Sequence, residues 1–215
     1  MKAAIFDLDG TLLDSMGVWS QIDREFLWRR GIPVPTDYTK TVSSMSFHET
    51  AVYTVSRFAL PETPEAVMRE WYEMAREAYA AQVPLKPFAR DYLIRLKARG
   101  VLLATATSLT DDLSIPALQR NGIAALFDVT CCTAEVGQGK SSPAVFLRAA
   151  EKLAVRPEDC VVFEDVYPGV VSAKQAGMTV YGVYDAAAEE EETAIRAVAA
   201  GYIRDFREAP GYDPR

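Results

Sequence analysis

The chain has 215 residues and a mass of 23.7 kDa, with 23 Lys+Arg against 30 Asp+Glu and a formal net charge of −7. Hydrophobic residues make up 49% and charged residues 25%, a globular usage that excludes a disordered or fibrous chain and supports a core hiding roughly 70% of the unfolded surface. The acidic balance, with a pI of about 4.9, opposes nucleic-acid binding, which needs a cationic face, and leaves small anionic ligands open.

In chain order, residues 3–8 form a short apolar run ended by Asp-Gly-Thr, which predicts a buried strand entering a loop. From Ser15 the apolar spacing becomes helical, through Val18, Trp19, Ile22 and Phe26, and stops at Arg29-Arg30-Gly31 with Pro33 beyond. Two more helical stretches follow at 47–58 and 64–81, with no strand between them. From Lys86 onward strands and helices alternate. The spacing predicts a helix at 88–99, a strand at 101–106, a helix at 111–120 broken by Pro116, and a strand at 129–133. It then predicts a helix at 143–153, a strand at 160–163, a helix at 168–176 and a strand at 179–183. A helix at 186–200 and a short strand near 202–203 complete the chain. The run Glu189–Glu192 reads as a solvated helix face.

Apolar strands alternating with helices specify an α/β fold with a doubly wound parallel sheet. The first strand belongs with the later set, so the expected organisation is a core of about 1–14 and 83–215 with a helical insert at about 15–82. Cys131, Cys132 and Cys160 are odd in number, which is no disulfide framework and points to a reducing compartment. The apolar start is too short for a signal segment, and no run approaches the ~18 residues that span a bilayer. A cytoplasmic protein is expected.

In an open parallel sheet, ligands bind beyond the carboxyl ends of the strands. The polar residues at those ends are Asp7 and Asp9, Thr105 and Thr107, and Glu164 with Asp165, while Lys140 lies in the loop after the 129–133 segment. Each has an ordinary structural use: Asp-x-Asp as a turn pair, Thr by β-propensity, Glu-Asp as a helix cap. All of them on one rim is a different matter. Four carboxylates there repel one another unless a cation lies between them, and hard oxygen ligands suit Mg²⁺.

Phe6-Asp7-Leu8-Asp9-Gly10-Thr11-Leu12-Leu13-Asp14-Ser15 resembles the first signature of the haloacid dehalogenase superfamily. Ala104-Thr105-Ala106-Thr107-Ser108 resembles the second, and Gly139-Lys140-Ser141-Ser142-Pro143 the third. Val162-Phe163-Glu164-Asp165-Val166-Tyr167-Pro168-Gly169-Val170, continuing to Ala176-Gly177-Met178, resembles the fourth. The helical insert is similar to the cap of the branch containing β-phosphoglucomutase and sugar-phosphate phosphatases. The resemblance implies that Asp7 attacks phosphorus and that Asp9 is the general acid and base. It implies Mg²⁺ held by Asp7, the Asp9 carbonyl and Asp165, and a phosphoryl group bound by Thr105, amides around Ala106, and Lys140. Glu164 would support the metal or orient Lys140. A carboxylate at position 9 implies phosphoryl transfer to or from a small phosphorylated metabolite, not dehalogenation.

Two departures bear on that expectation. Relatives commonly carry Lys-Pro-x-Pro-Asp at the third signature, whereas Lys140-Ser141-Ser142-Pro143-Ala144 predicts a less rigid loop. In the segment 41–48, where an arginine often stands, this chain has none. A mutase gripping a second phosphate would then need Arg24, Lys40 or Arg57. His48, the one histidine, reads as a helix-start residue, and Met16 and Trp19 as packing. A P-loop reading of Ala134-Glu135-Val136-Gly137-Gln138-Gly139-Lys140-Ser141 lacks the first glycine, sets the lysine before the Pro143 helix start, and leaves both acidic pairs unexplained. A non-enzymatic binding module would require a missing chemical group, and none is missing.

Overall fold

A computed structural model describes residues 1–42, 45 and 47–212. In chain order the elements are β1 (Ala3–Phe6), α1 (Met16–Arg29), α2 (Tyr38–Val42), α3 (Phe47–Phe58), α4 (Pro64–Ala81), α5 (Ala89–Ala98) and β2 (Leu102–Thr105). There follow α6 (Asp111–Arg120), α7 (Thr133–Val136), α8 (Ala144–Lys152), β3 (Cys160–Glu164), α9 (Tyr167–Gln175), β4 (Thr179–Val183), α10 (Glu192–Val198) and β5 (Gly201–Ile203). The chain divides into two compact units, Met1–Ser15 with Val83–Arg215, and Met16–Gln82.

The first unit is built on a parallel sheet of order β2-β1-β3-β4-β5. Register pairs Phe6 with both Thr105 and Phe163, so Asp7 and Glu164 follow side by side where β1 and β3 end. Below them Phe6 and Phe163 stack at 4.8 Å, with Tyr92 and Phe206 closing an aromatic cluster. On the other face Ala3, Ile5 and Val162 pack with Val145, Phe146 and Ala149 of α8 and Val170 and Ala173 of α9. Residues of the insert's exit and return pair within this unit: Asp14 N–H donates to Pro84, Lys86 N–H donates to Leu12, and Leu13 bridges Leu85. Lys86 Nζ also donates to Asp185 Oδ2 at 2.5 Å, anchoring the return to the end of β4.

In the second unit α4 is capped by Thr63, whose hydroxyl accepts from Ala66 N–H at 3.3 Å, with Pro64 at the helix start. Its buried stripe, Val67, Trp71, Met74, Ala75 and Ala78, has helical spacing. Trp71 meets the rings of Phe26 and Phe47 at 5.4 and 5.8 Å. Arg30 holds Glu62 and Glu70 at 2.8 and 2.6 Å and lies over the Phe26 ring.

Several expectations are corrected. The 129–133 segment is not a strand; it pairs through isolated bridges, at Ala104–Val129 with β2 and at Thr107–Cys132 just past the end of β2. The Thr105 hydroxyl accepts the Cys131 N–H that the backbone carbonyl would take in a regular ladder, at 3.2 Å. Pro116 does not break α6, which runs through it from Asp111 to Arg120; the one hydrogen bond it forfeits is to the carbonyl of Asp112, an exposed residue. The 186–200 stretch is a 3₁₀ turn, Ala186–Glu191, and then α10, because Asp185 caps Ala187 N–H and tightens the start. The acidic run is only partly a solvated face: Glu189 and Glu190 are exposed, Glu191 accepts from Tyr167 N–H at 2.7 Å, and Glu192 pairs with Arg196. The three cysteines are buried and free. Among the described residues no helix is long and apolar enough to cross a membrane.

Candidate active site

The first unit gathers its charges where β1 and β3 end. Oxygens of Asp7, Glu164 and Asp165 lie within 4.8 Å of one another, and all three side chains are buried. Lys140 Nζ contacts Asp7 Oδ1 and lies 2.8 Å from Glu164 Oε2. Asp165 accepts from the Thr11 hydroxyl at 3.0 Å. Two glycines make room for these carboxylates. Gly10 turns at φ +75°, a left-handed conformation, and a Cβ there would stand 2.1 Å from Asp165 Oδ2. At Gly169, in α9, a Cβ would stand 2.5 Å from Glu164 Cδ.

Three buried carboxylates against one ammonium leave a charge deficit. Burial pushes the Glu164 carboxyl up to about 7, with Lys140 opposing and Asp7 adding to the rise. Burial, followed by the Asp7 and Glu164 charges, holds Asp165 well above the usual carboxylate range. Burial disfavours the Lys140 ammonium, but Asp7 and Glu164 outweigh it and keep the group charged. Hard oxygens, clustered and short of positive charge, fit a divalent cation.

Of the sequence-derived candidates, Asp7, Asp165 and Lys140 converge, and Glu164 stands in the cluster itself. The side chain of Asp9 lies outside this trio, its Oδ1 accepting from the Ser15 hydroxyl at 2.6 Å. Thr105 is buried at the end of β2; its Oγ1 accepts from Cys131 N–H and keeps its own proton for another acceptor. The amide expected from Ala106 is not free: it donates to the Phe6 carbonyl at 2.8 Å, continuing the sheet, and Thr107 N–H donates to Cys131. In the helical unit His48 and Arg24 are exposed, and Arg57 is held by Asp37 at 2.9 and 3.1 Å. The Lys40 side chain and residues 43, 44 and 46 of the expected specificity segment lie outside the described residues.

Sequence reasoning missed three supports. Thr11 orients Asp165, Glu191 caps the α9 start that follows the Glu164-Asp165 pair, and Ser172 donates to the Lys140 carbonyl at 2.5 Å. A hydroxyl four residues after Asp7 was a local signal for the first. The other two partners are 24 and 32 residues away, where spacing carries no information.

Comparison with known proteins agrees with this geometry. The profile of the haloacid dehalogenase-like hydrolases matches residues 4–183. A phosphorylated carbohydrates phosphatase of Thermotoga maritima is 29% identical over 184 residues, 85% of either chain. A validoxylamine A 7′-phosphate phosphatase of Streptomyces hygroscopicus subsp. limoneus is 32% identical over 192 residues, again 85% of each. The crystal structure of a candidate β-phosphoglucomutase from Thermotoga maritima superposes with a TM-score of 0.84 at 28% identity, covering 94% of both chains. With the signatures, the parallel sheet and the buried carboxylates in register, the chain belongs to the haloacid dehalogenase-like hydrolase family.

Proposed function

We propose that the chain is a Mg²⁺-dependent phosphatase of a small phosphomonoester, a sugar phosphate or similar metabolite, working through an aspartyl-phosphate. The observation that carries the reading is the buried group of Asp7, Glu164 and Asp165 with Lys140, in a family whose matched relatives include phosphatases. Asp7, Asp165 and the Asp9 carbonyl are the proposed metal ligands, with Glu164 beside them. A bound cation there would offset the negative charge that nucleophile and phosphate bring together.

In the first step an Asp7 carboxylate oxygen bonds to phosphorus as the ester P–O bond breaks, and Asp9 gives its proton to the leaving alkoxide. In the second, Asp9 takes a proton from water, whose oxygen bonds to phosphorus as the Asp7 acyl-phosphate bond breaks, releasing phosphate. Lys140 and the Thr105 hydroxyl are the proposed donors to the phosphoryl oxygens. Ser15 holds Asp9 in the meantime. The Met16–Gln82 unit is the proposed cap, which selects the leaving group.

The alternative, a β-phosphoglucomutase-like phosphohexomutase, needs a cation to grip a second phosphate. Of the described cations that could serve, Arg57 is already engaged by Asp37 and Tyr53, while Arg24 is exposed. The test is phosphate release from sugar phosphates, nucleoside monophosphates and small acid phosphates, with Mg²⁺ and with EDTA. Metal-dependent release sustains the proposal. Silence on the panel, together with interconversion of β-glucose 1-phosphate and glucose 6-phosphate in the presence of a bisphosphate primer, replaces it with the mutase.

A further inference from the structure

Lys140 must deliver a buried ammonium between Asp7 and Glu164, yet it stands in a loop that its own sequence does little to stiffen. Residues 139–142 form a turn closed by Ser142 N–H donating to Gly139 at 3.0 Å, and α8 begins only at Ala144. Ser142 Oγ ties the ends of this turn, donating to Gln138 Oε1 at 2.6 Å and accepting from Ala144 N–H at 3.3 Å, while Gly139 and Ser141 on either side of Lys140 leave its own backbone freer.

The restraint comes from α9. Ser172 is buried, and its Oγ donates to the Lys140 carbonyl at 2.5 Å. The acceptor within its own helix, the Gly169 carbonyl, is farther, at 3.2 Å. A hydroxyl has one proton, and a helical serine can always spend it on its own preceding turn. Here the shorter contact goes instead to a loop 32 residues away. Lys140 is therefore held at both ends by β3 and α9, its ammonium by Glu164 and its backbone by Ser172.

We infer that Ser172 is a positioning residue for Lys140, fixing the backbone from which the phosphate-facing ammonium is presented. This rests on the proposed phosphoryl-binding role of Lys140. Misplacing a catalytic group by ~1 Å costs on the order of 100-fold in rate, and loosening one of two restraints should cost about tenfold.

The experiment compares wild type, Ser172→Ala, Ser172→Cys, Lys140→Met and the Ser172→Ala/Lys140→Met double variant. It reads kcat and KM for p-nitrophenyl phosphate with Mg²⁺, and urea unfolding. It also reads the acetylation rate of Lys140 by acetic anhydride, mapped by mass spectrometry against Lys174. For Ser172→Ala the expected result is a kcat about tenfold lower, a nearly unchanged unfolding midpoint and several-fold faster Lys140 acetylation. Ser172→Cys, which keeps the volume and a weak donor, should fall between. In the Lys140→Met background the same change should cost less than about twofold, because the residue it acts through is gone. A kcat within about twofold of wild type, unchanged acetylation, or an equal loss in both backgrounds would overturn the inference. If wild type itself turns over no phosphomonoester, the functional reading falls separately and the acetylation arm decides: a raised rate sustains the anchor, an unchanged rate overturns it.

Discussion

Replacing Gly169 by alanine sets two effects of opposite sign against each other. Gly169 lies inside α9, where alanine is the better helix former by about 0.5–1 kcal/mol. The added methyl, however, would stand 2.5 Å from Glu164 Cδ, 2.7 Å from Cγ and 2.8 Å from Oε2. Glu164 is fully buried, with Oε2 on Lys140 and Oε1 accepting from Val166 N–H, so it has nowhere to go without releasing a partner. Overpacking alone costs about 1–3 kcal/mol, and separating a buried ion pair about 3–5 kcal/mol. The steric and ionic terms win, and Gly169→Ala should lose about 2–4 kcal/mol in urea unfolding. Turnover should fall at least about 100-fold, since Lys140 moves with Glu164. A variant as stable as wild type or more so, with unchanged turnover, would show that Glu164 is not confined by α9 and would refute the geometry of the site.

Ala154 follows α8 at φ +53°, the left-handed position where helices favour glycine. Ala154→Gly should therefore raise stability by about 0.5–1 kcal/mol in urea, and a loss would show that the strain is absent. Burial pushes the Asp23 carboxyl up to about 6, with Arg24 opposing. A carboxyl raised on folding binds its proton more tightly when folded, so stability falls as pH rises from about 4 to about 6 and is flat above. Asp23→Asn should recover on the order of 2 kcal/mol at pH 7 and nothing at pH 4; parallel unfolding-versus-pH curves would contradict this. Glu191→Ala should remove about 1 kcal/mol of capping from α9, which has no side-chain cap of its own, and weaken Mg²⁺ binding in calorimetry. Unchanged binding would leave Glu191 a purely structural cap.

The elements that period and punctuation define were legible from the residues alone. α3, α4 and β4 run between the ends that Phe47, Pro64 and Thr179 announce. Asp7 and Asp165 were legible because parallel strands bring their carboxyl ends to one edge whatever the sequence between them, whereas Lys140 was legible from the third signature and not from a strand end, since the 129–133 strand before it does not form. What was not legible depends on groups that compete for a single hydrogen bond. Thr105 has the β-branched shape of a strand residue, yet its hydroxyl takes the Cys131 amide and interrupts the ladder, leaving 129–133 with isolated bridges at Ala104–Val129 and Thr107–Cys132. Amides around Ala106, at the end of the expected strand 101–106, were expected to bind the phosphoryl group, but register with Phe6 commits the Ala106 amide to the sheet. Glu191 looked like one of four solvated glutamates, and only the folded chain shows that it meets the start of α9. Glu164, left between two supporting roles, enters the carboxylate cluster because register sets it beside Asp7.

Asp7 is the residue proposed to carry the phosphoryl group. The most direct measurement is Mg²⁺-dependent phosphate release by wild type and Asp7→Asn on the best substrate of the panel, with circular dichroism confirming that both are folded. Asp7→Asn is expected to release less than about a thousandth of the wild-type phosphate, since an amide cannot replace the attacking carboxylate. A folded Asp7→Asn enzyme retaining more than that would contradict it.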